Sequence, residues 1–359
     1  MQILGTFKIV ERQDTSKINQ IIVLIISLIA SFLIAALLIS QAGGDPMLAL
    51  TSILKGAFGG QREILETLVR ASPLLLVAVG TVVAFSGSIW NIGQEGQLIA
   101  GAMLSYWVYT FIQDWPRFPL LIVIILSGFV GGALLASLAA LLRTHFRVDI
   151  VIGTVLINYI TLYFFSMLLW DYDLWMDIRS YNPRTPQIIE AARLPQLFEG
   201  SRLHLGIILG MIAALVIAWV MQKSSFGIDV RSIGLNPVAS KFRGINFNRT
   251  LITTMIISGG LCGLAGMSEA FGLQYKLDLE LSPGLGFTGL IVAMLAGLDP
   301  IASIVASIFF GGLINGGVRM VTVTGVPTAL IKSIQAIVLI FLLIGRVASR
   351  MRIRRVTDV

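Results

Sequence analysis

The chain has 359 residues and a net charge of +7, yet only 13% of its residues are charged and 56% are hydrophobic, with a mean hydropathy of +0.88. Soluble domains carry about 25% charged residues, so a water-facing surface around a single core is excluded and membrane lipid must solvate much of the chain. The basic residues lie in short loops and near the C-terminus rather than on an aromatic-interleaved face. That argues against nucleic acid as a partner and for orientation by the positive-inside rule. With one cysteine, Cys262, and two distant histidines, His145 and His204, neither an intrachain disulfide nor a metal centre is expected.

A bilayer core of about 30 Å needs about 20 apolar residues per helix. Apolar runs predict an all-α membrane protein, a polytopic bundle of about ten spans within a single transmembrane domain over 1–359. They fall at roughly 20–40, 71–89, 95–113, 119–142, 150–170, 204–222, 250–268, 284–297, 301–318 and 327–345. The first run ends at Ser40-Gln41-Ala42, which faintly resembles a signal-peptidase site. Its length is that of a spanning helix, so it reads as retained. The eighth run is short and flanked by Pro283 and Pro300, as a broken or tilted helix would be. With both termini cytoplasmic, the inner segments are rich in Lys and Arg and the outer ones slightly acidic, as an even span count requires. Arg319 is the clearest exception, and Lys332 reads as snorkelling from the last span. The loop over 171–203 then lies outside, as an ordered lid or a plain connector, and the loop over 223–249 lies inside.

Three glycine pairs, Gly128 and Gly132, Gly259 and Gly263, and Gly312 and Gly316, have the spacing of close helix contacts. No Gly-Lys pair exists, so a phosphate-binding P-loop is excluded. Two segments are unusual. Trp90-Asn91-Ile92-Gly93-Gln94-Glu95-Gly96-Gln97 places a carboxylate and three carboxamides between two apolar runs, with no charged loop to separate them. Such groups at membrane depth are costly unless they face protein or a water-filled path, and the glycines allow the backbone to leave the helix there. The segment reads as part of a translocation path, with Trp90, Asn91, Gly93, Gln94, Glu95 and Gln97 as its wall. A tight turn in which Glu95 simply meets water is the alternative. Asn158, alone in an apolar span, is a further path candidate or else interhelical glue. The glycine-rich run over 284–297, with Phe287 and Thr288 near its start, occupies a similar place in a second half. Spans 2–5 and 7–10 thus read as two related halves, and paired interrupted spans of this kind point to the path.

The second unusual segment runs from Gly234 to Asn246. Asn236 can cap a helix that has Pro237 in its first position, and Gly244 can close it. Val238, Phe242 and Ile245 then form an apolar stripe beside Lys241 and Arg243. This short amphipathic helix either lies on lipid or docks a cytoplasmic protein.

Gly234-Leu235-Asn236-Pro237-Val238-Ala239-Ser240-Lys241-Phe242-Arg243-Gly244-Ile245-Asn246 resembles the coupling loop of ABC importer permeases. Trp90 to Gln97 resembles the Asn-Ile-Gly-x-Glu-Gly-Gln motif of the nucleoside and simple-sugar permease family, related to the ribose permease. Ribose-type members tend to carry a Gly-Gly-Ile-Asp-Leu-Ser-like stretch near this position. Its absence favours nucleosides, whereas Trp90 departs from the more usual Phe. The resemblance implies a bacterial inner-membrane importer subunit that is not itself an enzyme and binds no cofactor. Cytoplasmic ATPase subunits would hold ATP and Mg, a second permease subunit (identical or different) would complete the pore, and an extracytoplasmic binding protein or lipoprotein would deliver solute. Gly234, Asn236, Pro237, Lys241, Arg243 and Gly244 would couple to the ATPase. A permease for ribose or another simple sugar is the neighbouring alternative. An ion-coupled secondary transporter, with Glu95 as its one good intramembrane carboxylate, is the more distant one.

Overall fold

The computed structural model describes residues 2–3, 7–11, 17–171, 173–349 and 351–355. Thirteen helices are present among them: Lys17–Gln41 (α1), Pro46–Phe58 (α2), Gln61–Ser86 (α3), Gln94–Ile112 (α4), Arg117–Phe146 (α5), Ile150–Trp170 (α6), Gly206–Lys223 (α7), Ser225–Leu235 (α8), Pro237–Phe242 (α9), Phe247–Glu269 (α10), Leu285–Leu295 (α11), Pro300–Thr324 (α12) and Ala329–Ser349 (α13). One small antiparallel sheet, Gln2–Ile3 (β1), Phe7–Glu11 (β2) and Met351–Arg355 (β3), has the order β1-β2-β3.

The chain divides into two compact units. The first holds 1–59 and 313–359. Its sheet joins the two ends of the chain, with Phe7 opposite Arg355 and Glu11 opposite Met351. α1 packs along α13, where Gly345 leaves room only for Ser27. The end of α12 crosses α2 closely. A side chain at Gly316 would run into the Ile53 backbone, and Asn315 Nδ2 donates to Gly56 O at 2.8 Å.

The second unit, 60–312, carries the site. Its axis is α3, buried on all sides from Ala71 to Phe85. A helix apolar all round belongs inside a bundle. Small residues let its neighbours approach. Gly80 meets Ser258 O of α10, Gly210 of α7 seats on Leu75, and Gly289 of α11 seats on Val77. The glycine pairs of α5 and α10 face one another: a Cβ on Gly132 would meet Gly259 O, and one on Gly263 would meet Gly128 O. Glycine is required there because backbone lies against backbone. Residues 173–203 form an ordered cover over the segment that follows α10. The amides of Thr185, Ile188 and Leu194 donate to the carbonyls of Leu277, Tyr275 and Phe271 at 2.8–2.9 Å. Ile188, Ala192 and Leu194 of this cover are themselves buried.

The helices correct the expected span list. Seven are long and apolar enough to cross a membrane by length and composition: α3, α5, α6, α7, α10 with its extension to Gln274, α12 and α13. α2 and α11 are shorter apolar helices, whereas α1 has 25 residues and coincides with the first expected run. The expected span at 284–297 is an 11-residue helix, about 16 Å long and so roughly half a bilayer. α2 was not expected at all. α3 starts at Gln61 rather than 71, because Arg62, Glu63, Glu66 and Arg70 break the apolar run without breaking the helix. α10 ends in a π-helical turn, Ala270–Gln274.

Candidate functional site

α3 stops where Gly87 closes it and Ser88 takes a left-handed backbone, φ 54°. Residues 89–93 then lead without regular secondary structure to the start of α4. Asn91 organises this break. Its Oδ1 accepts from Gly93 N at 3.0 Å and from Gln97 Nε2 at 2.9 Å. Its Nδ2 donates to Gln97 Oε1 at 3.0 Å and to Ser258 Oγ of α10 at 3.2 Å. The two carboxamides thus pair reciprocally, one from the break and one from the first turn of α4.

Asn158 of α6 clamps the same break from the other side. Its Oδ1 accepts from Gly96 N at 2.6 Å and its Nδ2 donates to Ile92 O at 2.9 Å. Thr154, one turn earlier, accepts from Ile92 N at 3.3 Å. Side chains at Gly93 and Gly96 would collide with these amides. Gln94 turns toward α3 and donates to Thr81 Oγ1 at 3.1 Å, while its Oε1 is buried without a partner.

Glu95 is 3% exposed and serves a second broken helix. Oε1 accepts from Gly284 N at 3.0 Å and Oε2 from Gly286 N at 2.7 Å. Gly284 holds φ 94°, a conformation that suits glycine. Gly286 is pressed against the backbone of Gln94 and Glu95, where no Cβ fits. Glu95 lies in the first turn of α4 and caps the first turn of α11. One carboxylate therefore sits at two positive helix ends, where its charge is favoured and free amides are satisfied.

The structure brings Asn91, Gln94, Glu95, Gln97 and Asn158 into one buried cluster, and puts Trp90 and Phe287 outside it. Trp90 is about half exposed and packs on Phe85 at 4.7 Å between ring centroids. Phe287 is exposed at the start of α11, and Thr288 donates to Gly284 O within its own turn. The sequence reading missed the partners Thr81, Thr154 and Ser258. They are single hydroxyls in apolar runs and carry no signal until the helices meet. It also missed Glu269, a second buried carboxylate at the π-helical turn, which accepts weakly from Gln274 Nε2 at 3.4 Å.

At the end of α3, the segment over 225–246 packs on the same break. Asn236 ends α8 and caps α9, its Oδ1 accepting from the amides of Val238 and Ala239 at 3.0 Å, with Pro237 first in the helix. Gly244 turns the chain at φ 79° and Asn246 caps α10. Gly234 lies on the Ser86 carbonyl, and Ser88 Oγ donates to Gly234 O at 3.0 Å. Leu235, Val238 and Phe242 project outward together, with Leu235 88% and Phe242 89% exposed. Lys241 and Arg243 are exposed beside them.

No nucleophile or base is poised in the cluster. Among the described residues no group of three His, Cys, Asp or Glu side chains is placed to hold a metal ion. The arrangement fixes broken helices inside an apolar bundle and leaves an exposed apolar knuckle packed beside them. The chain belongs to the permease family described as branched-chain amino acid transport system, permease component, which it matches over residues 63–343. It is 30% identical to the nucleoside ABC transporter permease protein NupB of Lactococcus lactis subsp. cremoris (strain MG1363), over 91% of this chain and 92% of that one. It is 30% identical to the guanosine ABC transporter permease protein NupP of Bacillus subtilis (strain 168), over 90% and 93%. It is 28% identical to the glucose ABC transporter permease protein TsgB13 of Haloferax volcanii, over 92% and 88%. The chain is a multi-pass plasma-membrane protein, the non-catalytic permease subunit of an ABC importer, a class that works with ATPase and binding-protein partners.

Proposed function

We propose that this permease carries nucleosides inward. The observation that supports the reading is the near full-length similarity to two permeases named for nucleoside and guanosine transport. The glucose permease relative supports a simple sugar as the second reading. In our reading both chain ends are cytoplasmic, the 173–203 cover meets the solute-binding protein, and a second permease subunit completes the path. ATP and Mg are held by the ATPase pair.

The ATPase takes hold of the exposed knuckle. Burying Leu235, Val238 and Phe242 in an ATPase groove is worth about 1.5–3 kcal/mol for each side chain. Lys241, Arg243 and Gly244 border that contact, while Asn236 and Pro237 shape it. A push on α8 reaches the break directly, because Gly234 rests on Ser86 and Ser88. From there the chain leads within a few residues to Asn91 and to Glu95. Differential contact of the ATPase with two arrangements of these broken helices is what shifts the importer between outward and inward states.

The test is uptake by the complete importer, with its ATPase, partner permease and binding protein, in proteoliposomes. Labelled guanosine and adenosine should accumulate with ATP, and excess ribose or glucose should not compete. Accumulation of ribose or glucose with no nucleoside uptake would replace this reading with the sugar one.

A further inference from the structure

We propose that Tyr159 and Tyr163 of α6 form an aromatic platform on the wall of the solute path, against which the planar ring of the solute stacks. The proposal rests on the nucleoside reading for the identity of the ring, and on geometry for its place.

α6 is 21 residues long and starts at a firm cap, the Asp149 carboxylate accepting from Val151 N and Ile152 N at 2.9 and 3.2 Å. Its length matches the hydrocarbon core, about 30 Å. Tyr159 and Tyr163 are four residues apart and share one face. They stand about 13 and 19 Å along the helix, in the central part of the bilayer. Tyr159 is 55% exposed and Tyr163 is 74% exposed. Neither hydroxyl has a hydrogen-bond partner among the described residues.

Membrane tyrosines belong at the interfaces, where the ring is buried and the hydroxyl is wet. Trp170, at the very end of α6, has such a place. Two phenols at mid-depth facing lipid would each leave a hydroxyl in hydrocarbon, which is costly. This edge of α6 therefore meets water and solute. The other edge of the same exposed face behaves differently. Ile160 and Phe164 line an apolar groove of about 620 Å³ with Met103, Leu104 and Leu134 of α4 and α5. The one hydroxyl there, on Thr161, is satisfied by Ile157 O at 2.9 Å. That edge suits acyl chains, so α6 separates a lipid side from a wet side.

The platform is also held in place. Asn158, the residue before Tyr159, is bonded to Ile92 O and Gly96 N, so α6 is tied to the break that carries the half-exposed Trp90. A movement of the break is transmitted to the platform through Asn158. Aromatic faces accept any flat heterocycle, and the phenol hydroxyls can bond its polar edge.

Two measurements on the complete importer decide the matter. The first is cysteine labelling. Cys262, the sole cysteine of the chain, is fully buried, so the unmodified chain serves as the unlabelled control. Tyr163→Cys should react with a membrane-impermeant thiol reagent, and whichever solute the wild-type importer accumulates should protect it. Reaction with lipid-phase reagents alone, or with neither kind, would overturn the proposal. The second is kinetic. Tyr159→Leu and Tyr163→Leu should each raise the KM for nucleoside uptake about 5- to 100-fold, while Tyr→Phe at either position, which keeps the ring, should stay within about fivefold. Ile160→Leu on the lipid edge should leave KM unchanged. Equal KM values for the Leu and wild-type forms would overturn the stacking role. An importer that takes up only sugars would refute the nucleoside reading alone, and the labelling of Tyr163→Cys would still show whether this edge is wet.

Discussion

The Glu95 carboxylate accepts from the backbone amide of Gly286 at 2.7 Å, joining residues 191 positions apart in the chain. With Gly284 bonded to the other oxygen, the first turn of α4 closes the first turn of α11. Glu95→Ala leaves the buried Gly286 amide without its acceptor, costing about 1–3 kcal/mol, and leaves the Gly284 amide only the Ser282 carbonyl at 2.8 Å. We expect thermal unfolding in detergent to fall correspondingly, with faster amide exchange over 284–289. Unchanged exchange there would show that the cap is dispensable.

Gly234 allows α8 to touch the end of α3. Gly234→Val places branched carbon on the Ser86 carbonyl and must push α8 away. Solute uptake should fall at least about tenfold, with normal membrane levels of the subunit and persistent basal ATPase activity. Uptake within twofold of wild type would mean that this contact does not carry the stroke.

Leu235 and Phe242 are nearly bare in the isolated chain. Replacing both with Ser should leave the melting temperature of the purified permease unchanged. Affinity for the ATPase, measured by co-purification or interferometry, should drop by an order of magnitude or more, since about 3–6 kcal/mol of apolar burial is removed. A lowered melting temperature with intact ATPase binding would place these side chains in the permease fold rather than at the joint.

His204 lies beside Gly206 and Gly272, just ahead of α7, with Nδ1 accepting from Gly206 N at 3.1 Å. Burial holds its imidazole down at about 4. The folded chain keeps the ring neutral, whereas the unfolded chain takes up a proton below about pH 6.5. Its contribution is intact above pH 6.5 and is lost progressively as pH falls toward 4. At pH 5 the loss is about 2 kcal/mol. His204→Gln should flatten that part of the pH profile of thermal stability. An identical acid slope in the variant would assign the loss to other groups.

The parts legible in the sequence are those where one residue type announces its own environment. Apolar runs locate α5, α6 and α13. Carboxamides between two such runs mark 90–97, and Asn236, Pro237 and Gly244 mark the ends of α9. Other parts depend on neighbours the sequence does not show. The charges that obscure the start of α3 lie on a genuine helix. α8 hides in what reads as a loop, because Asp229, Arg231 and two glycines dilute its apolar positions. The short length of α11 is legible from Pro283 and Pro300, but its tie to Glu95 is not, since that is a bond between a side chain and a backbone amide far away.

The pairing of β2 with β3 bears on how the protein is made. Phe7–Glu11 are synthesised hundreds of residues before their strand partners Met351–Arg355. α1 is in the same situation, since its companion α13 follows it only after eleven intervening helices. The first unit thus cannot finish assembling as the chain is translated, and its early helix must persist in the bilayer with its interface open. Chains interrupted before α13 will carry that open seam, which is a ready mark for membrane quality-control proteases to recognise.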